Sequence, residues 1–121
     1  MEFDYRIWLI KNGKAFGKGP YDLLRAVSQR GSLNEAAKTM GMSYSKAWKT
    51  VNMIEKRLGF ALLRREAGGS SGGGSYLTAE AEALLCQYGQ FLAQADRILA
   101  ELFQQYFGTG ATLEEGSRPQ D

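Results

Sequence analysis

Between Gly31 and Gly59 the chain spells two helices joined by a tight turn, and that spacing leaves few folds open. Ser32-Leu33-Asn34-Glu35 has the form of a capping box, with Ser32 at the N-cap and Glu35 three residues inside the helix. Leu33, Ala36, Ala37 and Met40 stand at i, i+3, i+4 and i+7, one face of a short helix. Gly41 ends it and can take positive φ in the turn, with Met42 placed to plug the gap beneath. Ser43 caps the next helix, whose apolar face is Ala47, Val51, Ile54 and Leu58; Gly59 stops it. Small Ala36 and Ala37 let two helices cross closely. A helix of about eight residues, a turn of about three and a helix of about sixteen make a helix-turn-helix.

The flanks add short β elements. Phe3 to Ile10 alternates, with Tyr5, Ile7 and Leu9 on one face and Arg6, Trp8 and Ile10 on the other. Asn12-Gly13 then marks a hairpin turn, and Lys14-Ala15-Phe16 is the return strand, so residues 4–17 are expected to form a β-hairpin. Pro20 suits the first turn of a helix on which Leu23, Leu24 and Val27 are apolar, and Gly31 stops it beside Arg30. After the helix-turn-helix, Phe60 to Arg65 reads as a strand. Residues 68–75 are Gly-Gly-Ser-Ser-Gly-Gly-Gly-Ser, followed by the β-like pair Tyr76-Leu77. The segment reads either as a flexible linker or as the loop of a wing. It lacks the Gly-Lys-Ser/Thr ending of a P-loop.

Thr78 to Phe107 is expected to be the longest helix. Leu84, Tyr88, Phe91, Ala95, Ile98 and Leu102 step by alternating fours and threes, an a/d seam, and Leu85, Leu92, Leu99 and Tyr106 add a second row. From Leu84 to Tyr106 such a helix reaches about 33 Å. Either a second copy of the chain covers this face or the helix folds back on the N-terminal part. The dimer reading nominates Leu84, Leu85, Tyr88, Phe91, Leu92, Ile98, Leu99 and Leu102 as the interface. Residues 108–121 read as a disordered tail. The expected architecture is mainly α with small β. A hairpin and winged helix-turn-helix occupy residues 1–77, and a long dimerisation helix occupies residues 78–107.

Charge separates along the chain. Residues 1–65 hold 13 Lys and Arg against 5 Asp and Glu, whereas residues 66–121 hold 2 against 8. The basic part suggests a polyanion partner. The absence of His removes Ser-His-Asp triads and Cys₂His₂ zinc sites, and the single Cys86 has no neighbouring cation to make it a thiolate. Cys86 is expected to be a small buried or interface residue. No catalytic residue, metal ligand or cofactor is expected. There is no stretch of about 20 apolar residues and no basic, apolar leader at Met1 to Tyr5, so a cytoplasmic protein with no membrane association is expected.

With these elements in place, the stretch Leu24 to Leu77 resembles the winged helix-turn-helix of LysR-type regulators and, more closely, of ModE-type molybdate-responsive regulators. The resemblance is carried by Gly31-Ser32-Leu33-Asn34-Glu35-Ala36-Ala37, by Gly41-Met42-Ser43-Tyr44, by Ala47-Trp48 and by the glycine loop running into Leu77-Thr78. It extends over roughly residues 5–107. It implies a homodimer on palindromic double-stranded operator DNA, with the helix after the wing taking part in dimerisation. Two positions depart from the family pattern: Ser70 and Ser71 stand where ModE-type wings place a Lys, and Ser45 stands where a Lys often follows the Tyr. ModE-type chains carry molybdate-binding domains after the long helix. By resemblance this chain is the DNA-binding half, with no small-molecule effector domain.

The candidate DNA contacts follow. Opposite the apolar face of the second helix lie Ser45, Lys46, Lys49, Thr50, Met53 and Lys56. Recognition helices set their N-terminal residues against base edges in the major groove. Ser43, Ser45 and Thr50 offer hydroxyls. Lys46 and Lys49 reach guanine or a phosphate, and Tyr44 reaches a phosphate or a thymine methyl. Ser32 sits at a helix N-terminus suited to a phosphate. Arg64 and Arg65, with backbone amides at Gly72 and Gly73, are expected to make the wing contacts. Trp48 is expected to pack beside Val51, and Glu55 to form a structural or surface ion pair with Lys56 or Arg57. A second reading keeps the fold but not the DNA: a winged-helix module that dimerises with another regulator.

Overall fold

A computed structural model describes residues 1–65 and 74–108. The expectations for Gly72, Gly73 and the C-terminal tail beyond Gly108 lie outside the described residues. Packing divides the chain into two units, one of Arg6–Tyr88 and one of Met1–Tyr5 with the chain from Gly89 onward.

The first unit opens with β1 (Leu9–Ile10) and β2 (Lys14–Phe16), paired antiparallel around Asn12 (φ +57°) and Gly13 (φ +106°). Both turn residues take the positive φ that Asn-Gly hairpin turns need. The paired hairpin is shorter than expected. Exposure still alternates from Tyr5 to Ile10, but the return strand holds only three residues before helix α1 begins at Lys18, so earlier residues have no partner strand.

Helix α1 (Lys18–Arg30) starts two residues before Pro20, with Gly17 as a cap that contributes no side chain. It buries Leu23, Leu24, Ala26 and Val27 and ends at Gly31 in the left-handed region (φ +83°). Helix α2 (Leu33–Thr39) follows at once, and the Ser32 hydroxyl accepts from the Glu35 N–H at 3.0 Å, as the capping signature requires. The turn runs through Gly41 (φ +70°), and the Met42 N–H returns to the Ala37 carbonyl at 2.9 Å. Ser43 caps α3 (Tyr44–Leu58) by accepting from the Lys46 N–H at 3.1 Å.

The core of this unit joins α1, α2 and α3 through Leu24, Val27, Leu33, Ala36, Ala37, Ala47, Val51 and Ile54, all buried. Leu58 is only half-buried. Strands β3 (Leu63–Arg65) and β4 (Ser75–Leu77) form a second antiparallel ribbon with Leu63 opposite Leu77, Arg64 opposite Tyr76 and Arg65 opposite Ser75. Helix α4 (Ala79–Phe107) then starts with Thr78 accepting from the Ala81 N–H at 3.1 Å. Within the first unit it buries Ala81 and Tyr88. Tyr88 meets Phe16 edge-on and Tyr21 at a tilt, with centroids 5.2 and 5.3 Å away. Leu84 and Leu85 are half-buried, while Cys86 is exposed, so of the two roles expected of it, buried or interface, the chain does not bury it.

The second unit is the remainder of α4 with the N-terminal segment laid along it. The Tyr5 hydroxyl donates to Asp96, and Phe3 stacks on Phe103 at 4.8 Å, which in turn meets Phe107 at 5.4 Å. Phe91, Ile98, Leu102, Tyr106 and Phe107 of this unit are exposed, and Leu92 and Leu99 half-exposed.

Candidate nucleic-acid interface

Helix α3 carries two stripes with the same spacing. Ala47, Val51, Ile54 and Leu58 face the core, and Ser45, Lys49, Asn52 and Lys56 repeat the same i, i+4, i+7, i+11 pattern two residues earlier. At 100° per residue, a two-residue offset turns the second stripe about 200° from the first, straight outward. All four outward residues are exposed. Asn52 lies outside the set expected from sequence, although the same stepping singles it out. Its amide is the side chain that pairs bidentately with adenine.

The first turns of α3 gather the expected residues. Ser43, Tyr44, Ser45, Lys46 and Lys49 are exposed and Thr50 is half-buried. Ser43 uses one lone pair on the Lys46 N–H and keeps its proton to donate outward. Trp48 is half-buried on the flank, consistent with a packing role. Among the described residues, no carboxylate stands within ion-pair distance of Lys46, Lys49 or Lys56. Glu35 and Asp22 pair within their own helices, with Lys38 at 3.4 Å and with Lys18 at 2.9 Å. Glu55 is not the surface ion pair expected of it. Its carboxylate accepts from the Leu62 N–H at 2.7 Å, with the Leu63 N–H 3.4 Å away. The basic face of α3 is thus left with its charge.

The β3–β4 ribbon stands beside the start of α2. The Ser75 N–H donates to the Gly31 carbonyl at 3.1 Å, next to the Ser32 cap. Gly74 lies so close that an added Cβ would sit 2.8 Å from that carbonyl oxygen. The backbone can pass there only without a side chain. Across the ribbon, the exposed Arg64 guanidinium lies over the exposed Tyr76 ring, 5.8 Å from its centroid. Arg65 sits opposite Ser75 on the same ribbon. The fold therefore brings Ser32 and the Arg65–Ser75 end of the ribbon together, and lines Ser43 to Lys49 along one end of α3.

The N-terminal hairpin holds the other end of α3, a set of contacts that no local pattern announces. Lys11 Nζ donates to the Leu58 carbonyl at 2.9 Å, and Arg57 Nη1 donates to the Lys14 carbonyl at 2.5 Å while packing against Gly13. Cations at a helix C-terminus are favoured by its exposed carbonyls.

Comparison with known proteins supplies context for this geometry. The profile described as bacterial regulatory helix-turn-helix protein, lysR family, matches residues 21–82. The chain is similar to the transcriptional regulator ModE of Yersinia pestis, 34% identical over 99 residues, which cover 82% of this chain and 34% of that protein. It is also similar to the DNA-binding transcriptional dual regulator ModE of Escherichia coli K12, 35% identical over 85 residues, covering 70% of this chain and 29% of that one. It thus spans about a third of the length of these relatives. Among solved structures, the CbnR DNA-binding domain in complex with DNA superposes with a TM-score of 0.55 at 27% identity, covering 67% of this chain and 87% of that one. The BenM DNA-binding domain with benA site 1 DNA gives 0.55 at 19% identity over 73% and 93%, a likeness of fold.

Proposed function

The chain belongs to the LysR family of bacterial regulatory helix-turn-helix proteins, and from that premise we propose that it is a DNA-binding transcription regulator of the ModE-like kind, with no enzymatic role. It binds duplex DNA with α3 in the major groove. Tyr44, Ser45, Lys46, Lys49 and Thr50 meet bases and phosphates, joined by Asn52. Ser32 and Ser43 hold phosphates at the helix starts. Arg64 contacts the flanking backbone.

The observation that carries this reading is the pair of opposed stripes on α3. One packs into the core, and the other is polar, basic and free of carboxylate partners among the described residues. Recognition helices of this class present such a face.

The exposed apolar row of α4 supports a homodimer, and a two-fold dimer reads a palindromic site. Tyr88 is buried within its own chain, so the dimer contact rests on Phe91, Leu92, Ile98, Leu99 and Leu102, with Leu84 and Leu85 at the edge. No helix among the described residues is long and apolar enough to cross a membrane, and we place the protein in the cytoplasm with its DNA.

Selection from a random duplex library tests the proposal. An enriched palindrome, bound with affinity that falls by orders of magnitude between about 50 and 200 mM salt, is the expected result. No enrichment and no binding at low salt would favour a dimerising module without DNA.

A further inference from the structure

Glu55 sits half-buried on α3, on the flank between the core stripe and the outward one. One carboxylate oxygen reaches two successive backbone N–H groups, Leu62 at 2.7 Å and Leu63 at 3.4 Å. Leu62 is fully buried, and Leu63 is the first residue of β3. The same stretch is held from the other side: the Thr78 N–H donates to the Leu62 carbonyl at 3.0 Å and the Thr78 hydroxyl to the Ala61 carbonyl at 2.7 Å. Strand β4 is in turn anchored through Ser75 to Gly31. The ribbon is therefore tied at its foot to the start of α4 and, through Glu55, to α3, and at its other end, where Ser75 stands opposite Arg65, to Gly31 after α1.

We propose that Glu55 is a positioning residue for DNA binding, setting where the β3–β4 ribbon stands relative to the outward face of α3. The inference rests on the reading that both elements meet one duplex. Arg64 follows Leu63 directly, so any tilt at the foot of the ribbon moves its guanidinium. Phosphates along a duplex are regularly spaced, and a contact from the ribbon adds to those of α3 only when the two are in register. The acceptor oxygen is close to the Leu62 N–H, and that buried N–H has little water to take its place. The geometry also explains the side chain. From α3 a Glu reaches Leu62, whereas an Asp is one methylene short. Charge matters less than reach, because an uncharged oxygen accepts in the same direction.

Two substitutions separate reach from charge. Glu55→Gln keeps the length and an acceptor; Glu55→Asp keeps the charge and loses the length. Fluorescence anisotropy of the full chain on its selected duplex across salt, with far-UV circular dichroism as the folding control, reads both. Glu55→Gln is expected to bind within about two-fold of the parent with the same salt slope. Glu55→Asp is expected to bind several-fold more weakly, with a slope smaller by about one, the signature of one lost phosphate contact. Adding Arg64→Ala to Glu55→Asp then costs nothing further, because that contact is already out of register. Three results would each overturn the proposal: parental binding by Glu55→Asp, a several-fold loss in Glu55→Gln, or simple addition of the Glu55→Asp and Arg64→Ala losses in the double variant. If Glu55→Asp does not fold, Glu55→Met, of similar length with no oxygen acceptor, takes its place with the same expectations. Failure of the parent itself to bind any duplex would overturn the DNA reading first, and is distinguishable because every variant then matches the parent.

Discussion

The Tyr88 hydroxyl donates to the Ile7 carbonyl at 2.8 Å, joining the first turns of α4 to the segment that leads into the N-terminal hairpin. Because that hairpin also holds the C-terminal end of α3 through Lys11 and Arg57, Tyr88 stands at one end of a chain of contacts that stops at the candidate recognition helix.

Tyr88→Phe is expected to cost about 1 kcal/mol, the net worth of one hydrogen bond, with the aromatic packing on Phe16 and Tyr21 retained. The pH dependence has a defined sign. Burial, then the Asp22 charge and Tyr21, push the Tyr88 hydroxyl above its usual 10.0. The unfolded chain therefore releases this proton first as pH rises. The Tyr88 contribution is complete below about pH 10 and is lost as pH climbs from there through the folded value. Urea unfolding of parent and Tyr88→Phe from about pH 7 to 11 should show a constant difference that shrinks only above about pH 10.

Gly17→Ala is expected to destabilise by about 1–3 kcal/mol, the usual cost of overpacking. An added Cβ would meet the Trp8 ring at 2.7 Å, and Trp8 lies under the Lys14 ammonium, 5.0 Å from its centroid. The unfolding midpoint should fall and the tryptophan emission should shift as the ring is displaced.

Ser32→Ala removes the acceptor for the Glu35 N–H and is expected to cost about 1 kcal/mol in chemical denaturation. If Ser32 also faces a phosphate, DNA affinity should fall by more than the lost stability alone explains.

How much of this is open to view in the sequence depends on where the partner of each residue lies. Ser32 and Ser43 cap their own helices three residues away, and Asn12-Gly13 closes its own turn, so local pattern suffices. Pro20 stands in the first turn of α1, as expected, but Gly17 caps with backbone alone, so no side chain marks where the helix begins. Glu55 reads as a structural or surface ion pair with Lys56 or Arg57 because the true partners of Glu55 and Arg57, backbone groups of Leu62 and Lys14, are brought near only by the folded chain. Asn52 is different: periodicity alone sets it on the outward face, but an uncharged amide does not stand out in a search for basic residues. The candidate contacts themselves sit where helical stepping puts them, since the direction of a helical side chain follows from which stripe is buried.

The exposed row on α4 gives a prediction about assembly. Ile98 is 51% exposed and Leu102 46% exposed, so Glu at either place should change monomer stability by less than about 0.5 kcal/mol. In a dimer built on that row, Ile98→Glu with Leu102→Glu buries two unpaired charges. Sedimentation equilibrium should then report a dimer for the parent and a monomer for the double variant. A monomeric parent would remove the homodimer from the account.

If the first turns of α3 read DNA as proposed, through Lys46 and, on the outward stripe, Lys49, the most direct measurement is the duplex affinity of Lys46→Ala with Lys49→Ala. Both side chains are exposed and make no ion pair among the described residues, so the fold should survive their loss. Anisotropy at about 50 mM salt should show binding at least about ten-fold weaker than the parent, with a salt slope lower by up to about two. A folded double variant that binds the selected duplex as tightly as the parent, with the same slope, would contradict that reading.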